Sequence, residues 1–85
     1  MNILFVSIGW RDFLIILSER LKQLRNEHQL TQQNVADHLG VKLRTYQYYE
    51  SDKDKSHRPD LEMLVILADF YNVSVDYLIG RSDTK

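Results

Sequence analysis

The chain of 85 residues contains no cysteine, one proline, three glycines and one tryptophan. Without cysteine there is no disulfide framework, no thiol nucleophile and no thiolate metal site, which fits a reducing compartment. So little proline and glycine, with no low-complexity tract, leaves no room for a flexible linker; ordered structure is expected up to the last few residues. No glycine-rich loop could cradle a phosphate, no Gly-x-Ser-x-Gly turn occurs, and no carboxylate pair sits in an apolar stretch. His28, His38 and His57 each stand alone; His28 and His38 are ten apart, not the four that would put two imidazoles on one helix face. Each reads as a surface residue. No enzymatic activity, metal or cofactor is expected.

Long apolar runs are also missing. Ile3-Leu4-Phe5-Val6 and Phe13-Leu14-Ile15-Ile16-Leu17 are separated by Gly9-Trp10-Arg11-Asp12. Neither approaches the roughly 20 residues of a membrane span. No basic start or small-residue cleavage site marks a signal peptide. No membrane association and a cytoplasmic location are therefore expected. The first run is short, β-branched and aromatic, which permits a strand. In a helical domain its partner would be the same segment of a second copy. Residues 1–12 equally read as a frayed extension, or as residues added by an upstream start codon; all three readings stay open.

Charge is nearly balanced, at a formal −1, but it is polarised. Residues 1–19 carry −1; residues 20–58 hold eight basic and five acidic side chains; residues 59–85 hold two basic and five acidic. A basic face can exist on a neutral protein, so the balance excludes only a uniformly basic nucleic-acid binder.

Periodicity divides the rest into helices. From about Phe13, Leu17, Leu21 and Leu24 recur at helical spacing, to an end near His28-Gln29. Thr31 is an N-cap for a second helix with Val35, Ala36 and Leu39 inside, closed by Gly40 in the left-handed conformation. A third helix over residues 43–51 turns Val41, Tyr46 and Tyr49 one way and Leu43, Arg44, Gln47 and Tyr48 the other. The charged loop SDKDKSHR, residues 51–58, follows. Pro59-Asp60 then opens the most apolar helix, with Leu61, Leu64, Val65, Leu67, Ala68 and Phe70 in its inner pattern, ending at Tyr71-Asn72. Ser74 caps a short last helix in which Tyr77, Leu78 and Ile79 close the core, and Gly80 stops it. The expectation is an all-α domain of five helices over residues 13–80, with a tail at 81–85.

The stretch LTQQNVADHLGV, then a helix ending in Tyr49-Glu50, then Pro59-Asp60-Leu61 and NVSVDYLIG, resembles the phage repressor/Cro-like (XRE-type) helix-turn-helix family of transcriptional regulators. The resemblance runs from about Leu17 to Gly80. It implies a lambda-repressor-like fold and a bacterial or phage-encoded regulator, a repressor in the first instance. Such a protein binds double-stranded DNA as a homodimer, with the third helix in the major groove. The same fold also serves antitoxin-like protein-interaction modules, whose partner would be another protein.

By the same resemblance, Leu43, Arg44, Gln47 and Tyr48 face bases. Arg44 suits guanine, Gln47 suits adenine and Leu43 suits a thymine methyl. Tyr48 also has a packing alternative, against Tyr49 or the loop. Gln32, Gln33 and Lys42 face phosphates, as do Lys53, Lys55 and Arg58 of the loop. Lys42 stands where relatives carry a capping Ser or Thr. Arg25 and Glu50 match a structural ion pair that orients the third helix. Two departures stand out: Asp52 replaces a customary glycine, and the interval from Glu50 to Pro59 is longer than usual.

Overall fold

The structure, a computed structural model, describes residues 10–53 and 57–85, with side chains from residue 12 onward. The apolar run at residues 3–6 and Lys55 lie outside the described residues. Among those described, the chain is all-helical: α1 (Trp10–Glu27), α2 (Gln32–Leu39), α3 (Leu43–Tyr49), α4 (Leu61–Tyr71) and α5 (Val75–Leu78). None is long and apolar enough to cross a membrane.

α1 begins three residues before Phe13, with Asp12 in its first turn and Arg25 in its last, the signs that its dipole favours. Thr31, Asp60 and Ser74 cap α2, α4 and α5, their side-chain oxygens accepting from Asn34 N at 3.0 Å, Met63 N at 2.8 Å and Tyr77 N at 2.9 Å. Thr31 and Asn34 cap reciprocally, since Asn34 Oδ1 accepts from Thr31 N at 3.0 Å. Four helices end in the same way, on a residue with positive φ: Gln29, Gly40, Asn72 and Gly80. After each, the next amide reaches back five residues, as in Leu30 N to Arg25 O, Val41 N to Ala36 O, Val73 N to Ala68 O and Arg81 N to Asp76 O. Gly80 also faces Ile16 closely; an added Cβ would lie 2.7 Å from Ile16 Cδ1.

Leu17, Leu21 and Leu24 of α1 meet Val35 and Ala36 of α2, Tyr46 and Tyr49 of α3, Leu67, Ala68 and Tyr71 of α4, and Tyr77 and Leu78 of α5 in one buried core. The Tyr46 and Tyr71 hydroxyls pair there at 3.0 Å, so neither buried polar atom is orphaned. Two positions of α4 depart from the inner pattern read from sequence. Leu61 is 73 % exposed and Val65 46 % exposed, with Ile66 at 39 % beside them. The core is satisfied by the Leu67–Ala68–Tyr71 side, and the outer side of α4 carries these apolar residues beside the exposed Glu62 and Asp69.

The C-terminal segment is fastened rather than loose. The Arg20 guanidinium lies 4.1 Å from the centre of the Tyr77 ring and donates to Tyr77 O, Ser82 O and Asp83 Oδ1. Ser74 N donates to Lys85 O at 3.0 Å, and Lys85 Nζ meets Glu27 at 3.0 Å.

Candidate nucleic-acid interface

α2 and α3 are joined by three residues, Gly40, Val41 and Lys42. Gly40, at φ 74°, lets the chain reverse, and the small buried Ala36 lets α3 cross α2 closely. Tyr46 and Tyr49 anchor the inner side of α3, leaving Lys42, Arg44 and Gln47 exposed and Leu43 and Tyr48 half-buried. Leu43, on the side turned away from Tyr46 and Tyr49, thus still gives part of its surface to the fold. α3 starts on Lys42 with no side-chain cap hydrogen bond and has no acidic residue in its first turn. The missing cap costs about 1 kcal/mol, and it leaves a lysine beside the positive end of the helix.

The orientation of α3 is set from α1. Arg25 Nε donates to Glu50 Oε2 at 2.7 Å, Arg25 Nη2 to Glu50 Oε1 at 3.1 Å, and Arg25 Nη1 to Leu30 O at 3.0 Å. Glu50 closes α3 as its C-cap, with a side chain only 2 % exposed. The hydrogen bond to Glu50 raises the Arg25 pKa above its already high ordinary value, so the guanidinium keeps its charge. Burial pushes the Tyr46 phenol well above the usual tyrosine range and raises that of Tyr71. Hydrogen bonding to Glu50 and Tyr71 adds to the rise at Tyr46.

Gln32 and Gln47, separate residues in the sequence, are brought together. Gln32 Nε2 donates to Glu50 Oε1 at 3.2 Å, and Gln47 Nε2 donates to Gln32 Oε1 at 3.4 Å. Gln33 turns along its own helix, donating to Asp37 Oδ1 at 2.8 Å. Tyr48 stacks on His57 with ring centres 4.1 Å apart and planes 17° from parallel. This contact brings the end of the charged loop, with exposed Arg58 next in sequence, against α3. Lys53 is exposed at the start of the same loop. His57, exposed as the sequence suggests, still packs its ring on Tyr48, and no local pattern announces that stack between residues nine apart.

The outward side of α3 thus presents Lys42, Arg44 and Gln47, with Tyr48 stacked on His57 at its C-terminal end and the buried Arg25–Glu50 pair behind it.

The helix-turn-helix family model matches residues 21–78. The chain is 45 % identical over 65 residues to the HTH-type transcriptional regulator YobD of Bacillus subtilis, covering 76 % of this chain and 55 % of that protein. It is 38 % identical over 65 residues to the cryptic phage CTXphi transcriptional repressor RstR of Vibrio cholerae, covering 76 % and 55 %. To the HTH-type transcriptional regulator ImmR of Bacillus subtilis it is 36 % identical over 69 residues, covering 81 % and 52 %. The chain spans a little over half the length of these relatives. No solved structure matches it significantly.

Proposed function

We propose, from the premise that this chain belongs to the phage repressor/Cro-like helix-turn-helix family of transcriptional regulators, that it is a cytoplasmic repressor. On this reading it binds double-stranded DNA as a homodimer and lays α3 in the major groove. The observation that carries the proposal is the outward side of α3: Lys42, Arg44 and Gln47 stand exposed on a helix locked from behind by the buried Arg25–Glu50 pair.

Roles follow from chemistry. Arg44 offers a planar fork that fits guanine N7 and O6, and Gln47 offers the donor and acceptor that adenine presents a match for. Leu43 gives its exposed part to a thymine methyl, and Tyr48 reaches the groove edge from its stack on His57. Lys42, Lys53, Lys55 and Arg58 hold phosphates, joined by Gln33 and the amino-terminal turn of α2 at Gln32. The repressor role is supported by the name of the CTXphi relative, a transcriptional repressor.

The homodimer is supported by α4. Leu61, Val65 and Ile66 form an exposed apolar strip on a helix whose other side already fills the core, and a two-fold copy would cover it. The same strip favours a second reading, in which the domain is an antitoxin-like module that docks on another protein. A mobility-shift experiment with random genomic fragments at low and at physiological salt separates the two. Retardation that weakens steeply with salt supports DNA binding; no retardation at low salt supports the protein-docking reading. Arg44→Ala should cost affinity for a preferred duplex more than for a random one; equal losses on both would remove Arg44 from base reading.

A further inference from the structure

Resting on the reading of α3 as the groove-facing element, we propose that the buried Arg25–Glu50 pair fixes the side-chain amide of Gln47 through Gln32. It thereby makes Gln47 a reader that accepts adenine and rejects guanine.

Four side chains form one chain of hydrogen bonds. Arg25 meets both Glu50 carboxylate oxygens, Oε2 at 2.7 Å and Oε1 at 3.1 Å. Arg25 has only donors, so both Glu50 oxygens face N–H groups and act as acceptors. The arm of the Gln32 amide that meets Glu50 Oε1 at 3.2 Å must therefore be its NH2 group. Its oxygen is then on the other arm, where it can only accept, so the group that meets it at 3.4 Å must be the NH2 of Gln47. Turning either amide over would set oxygen against oxygen or NH2 against NH2. On a free glutamine the two orientations are equivalent; here an acceptor-only group, buried behind the helix, selects one of them twice in succession.

The selection fixes what Gln47 has left for a base. One of its two N–H donors is engaged by Gln32, so one N–H and the carbonyl oxygen remain. Adenine presents one acceptor, N7, and one donor, the N6 amino group, and matches that remainder. Guanine presents two acceptors, N7 and O6, and finds one donor facing them and one oxygen opposed. Cytosine and thymine offer one partner each. Gln32 thus acts as a positioning residue for sequence reading, and the pre-ordered Gln47 side chain has less rotamer freedom to lose on binding.

The test selects duplexes from a random-sequence pool with the wild-type chain, with Gln32→Met and with Gln47→Met, alongside side-chain amide NMR spectra of the free proteins. In the free wild type, the Gln47 NH2 resonances should lie apart from those of solvent-exposed glutamines, and Gln32→Met should move them to the exposed position. One position of the selected motif should favour adenine over guanine by roughly tenfold or more in the wild type. Gln32→Met should reduce that ratio to within about twofold, leaving the other positions as they were. A Gln32 that only touched a phosphate, or only supported the fold, would lower affinity for every sequence and leave the adenine-to-guanine ratio intact; that result overturns the proposal. Gln47→Met should lose the same preference at the same position, and a preference that survives it overturns the proposal even if Gln32→Met fails to fold. If the wild type enriches no motif, the DNA-reading premise fails and the proposal with it; the free-protein amide spectra still report separately whether the hydrogen-bond chain exists.

Discussion

Replacing Arg25 by Met is the sharpest perturbation of the framework behind α3. The substitution keeps the length of the aliphatic stem and removes three hydrogen bonds, two to Glu50 and one to Leu30 O. Glu50 is left with a side chain 2 % exposed and no cation against it. Removing one partner of such a pair costs about 3–5 kcal/mol, because the remaining charge stays desolvated. Two features place this pair near the lower figure: the Arg25 side chain is itself 15 % exposed, and Gln32 Nε2 still donates to Glu50 Oε1. The expected loss is therefore about 3 kcal/mol. For a domain of this size that corresponds to a melting temperature lower by on the order of 10–20 °C. Urea unfolding followed by helical circular dichroism measures it. Arg25→Met combined with Glu50→Leu should recover most of the loss, since apolar replacement of a whole buried pair is close to neutral. A loss below about 1 kcal/mol, the level of an exposed pair, or a double variant no more stable than the single one, would refute the claim that Arg25 neutralises a buried carboxylate.

Lys42→Thr should restore the missing cap of α3 and stabilise the fold by about 1 kcal/mol. In a salt titration of DNA binding the same variant should reduce the slope by about one, so stability and affinity move in opposite directions. Stability should fall as pH rises above about 10, because Tyr46 and Tyr71 keep their protons in the folded state while the unfolded chain gives them up. Their folded pKa values are raised, so the unfolded state binds fewer protons there and each adds a slope of up to about 1.4 kcal/mol per pH unit. The double variant Tyr46→Phe with Tyr71→Phe should flatten that dependence in alkaline melting curves. Leu61→Glu with Val65→Glu should leave the melting of the monomer nearly unchanged, since both side chains stand outside the core. Light scattering should then show a loss of the dimer.

What the sequence announces here is what is encoded within a few residues. Thr31, Gly40 and Ser74 mark helix ends because each acts on backbone groups of its own turn, and the leucines of α1 mark a buried face by spacing alone. Asn72 ends α4 by the same left-handed geometry as Gly40, and after glycine asparagine adopts it most readily, whereas Gln29 does so without that preference. Leu61 and Val65 read as interior because the apolar pattern of α4 is wider than the core it meets. Arg20 over Tyr77, Gln47 on Gln32 and Tyr48 on His57 join residues of different elements, and no periodic pattern along the chain links the partners. The outward residues of α3 are legible in the sequence as a set of side chains, whereas their mutual arrangement belongs to the tertiary structure.

Whether α3 meets DNA with its outward side can be read from backbone amide and glutamine side-chain resonances while the wild-type chain is titrated with a duplex selected by that chain from a random pool. The largest changes should fall at residues 32–33 and 42–48, with lesser ones at Lys53 and Arg58, all reversed by added salt. Changes confined to Leu61, Val65 and Ile66 of α4, or changes indifferent to salt, would contradict that contact.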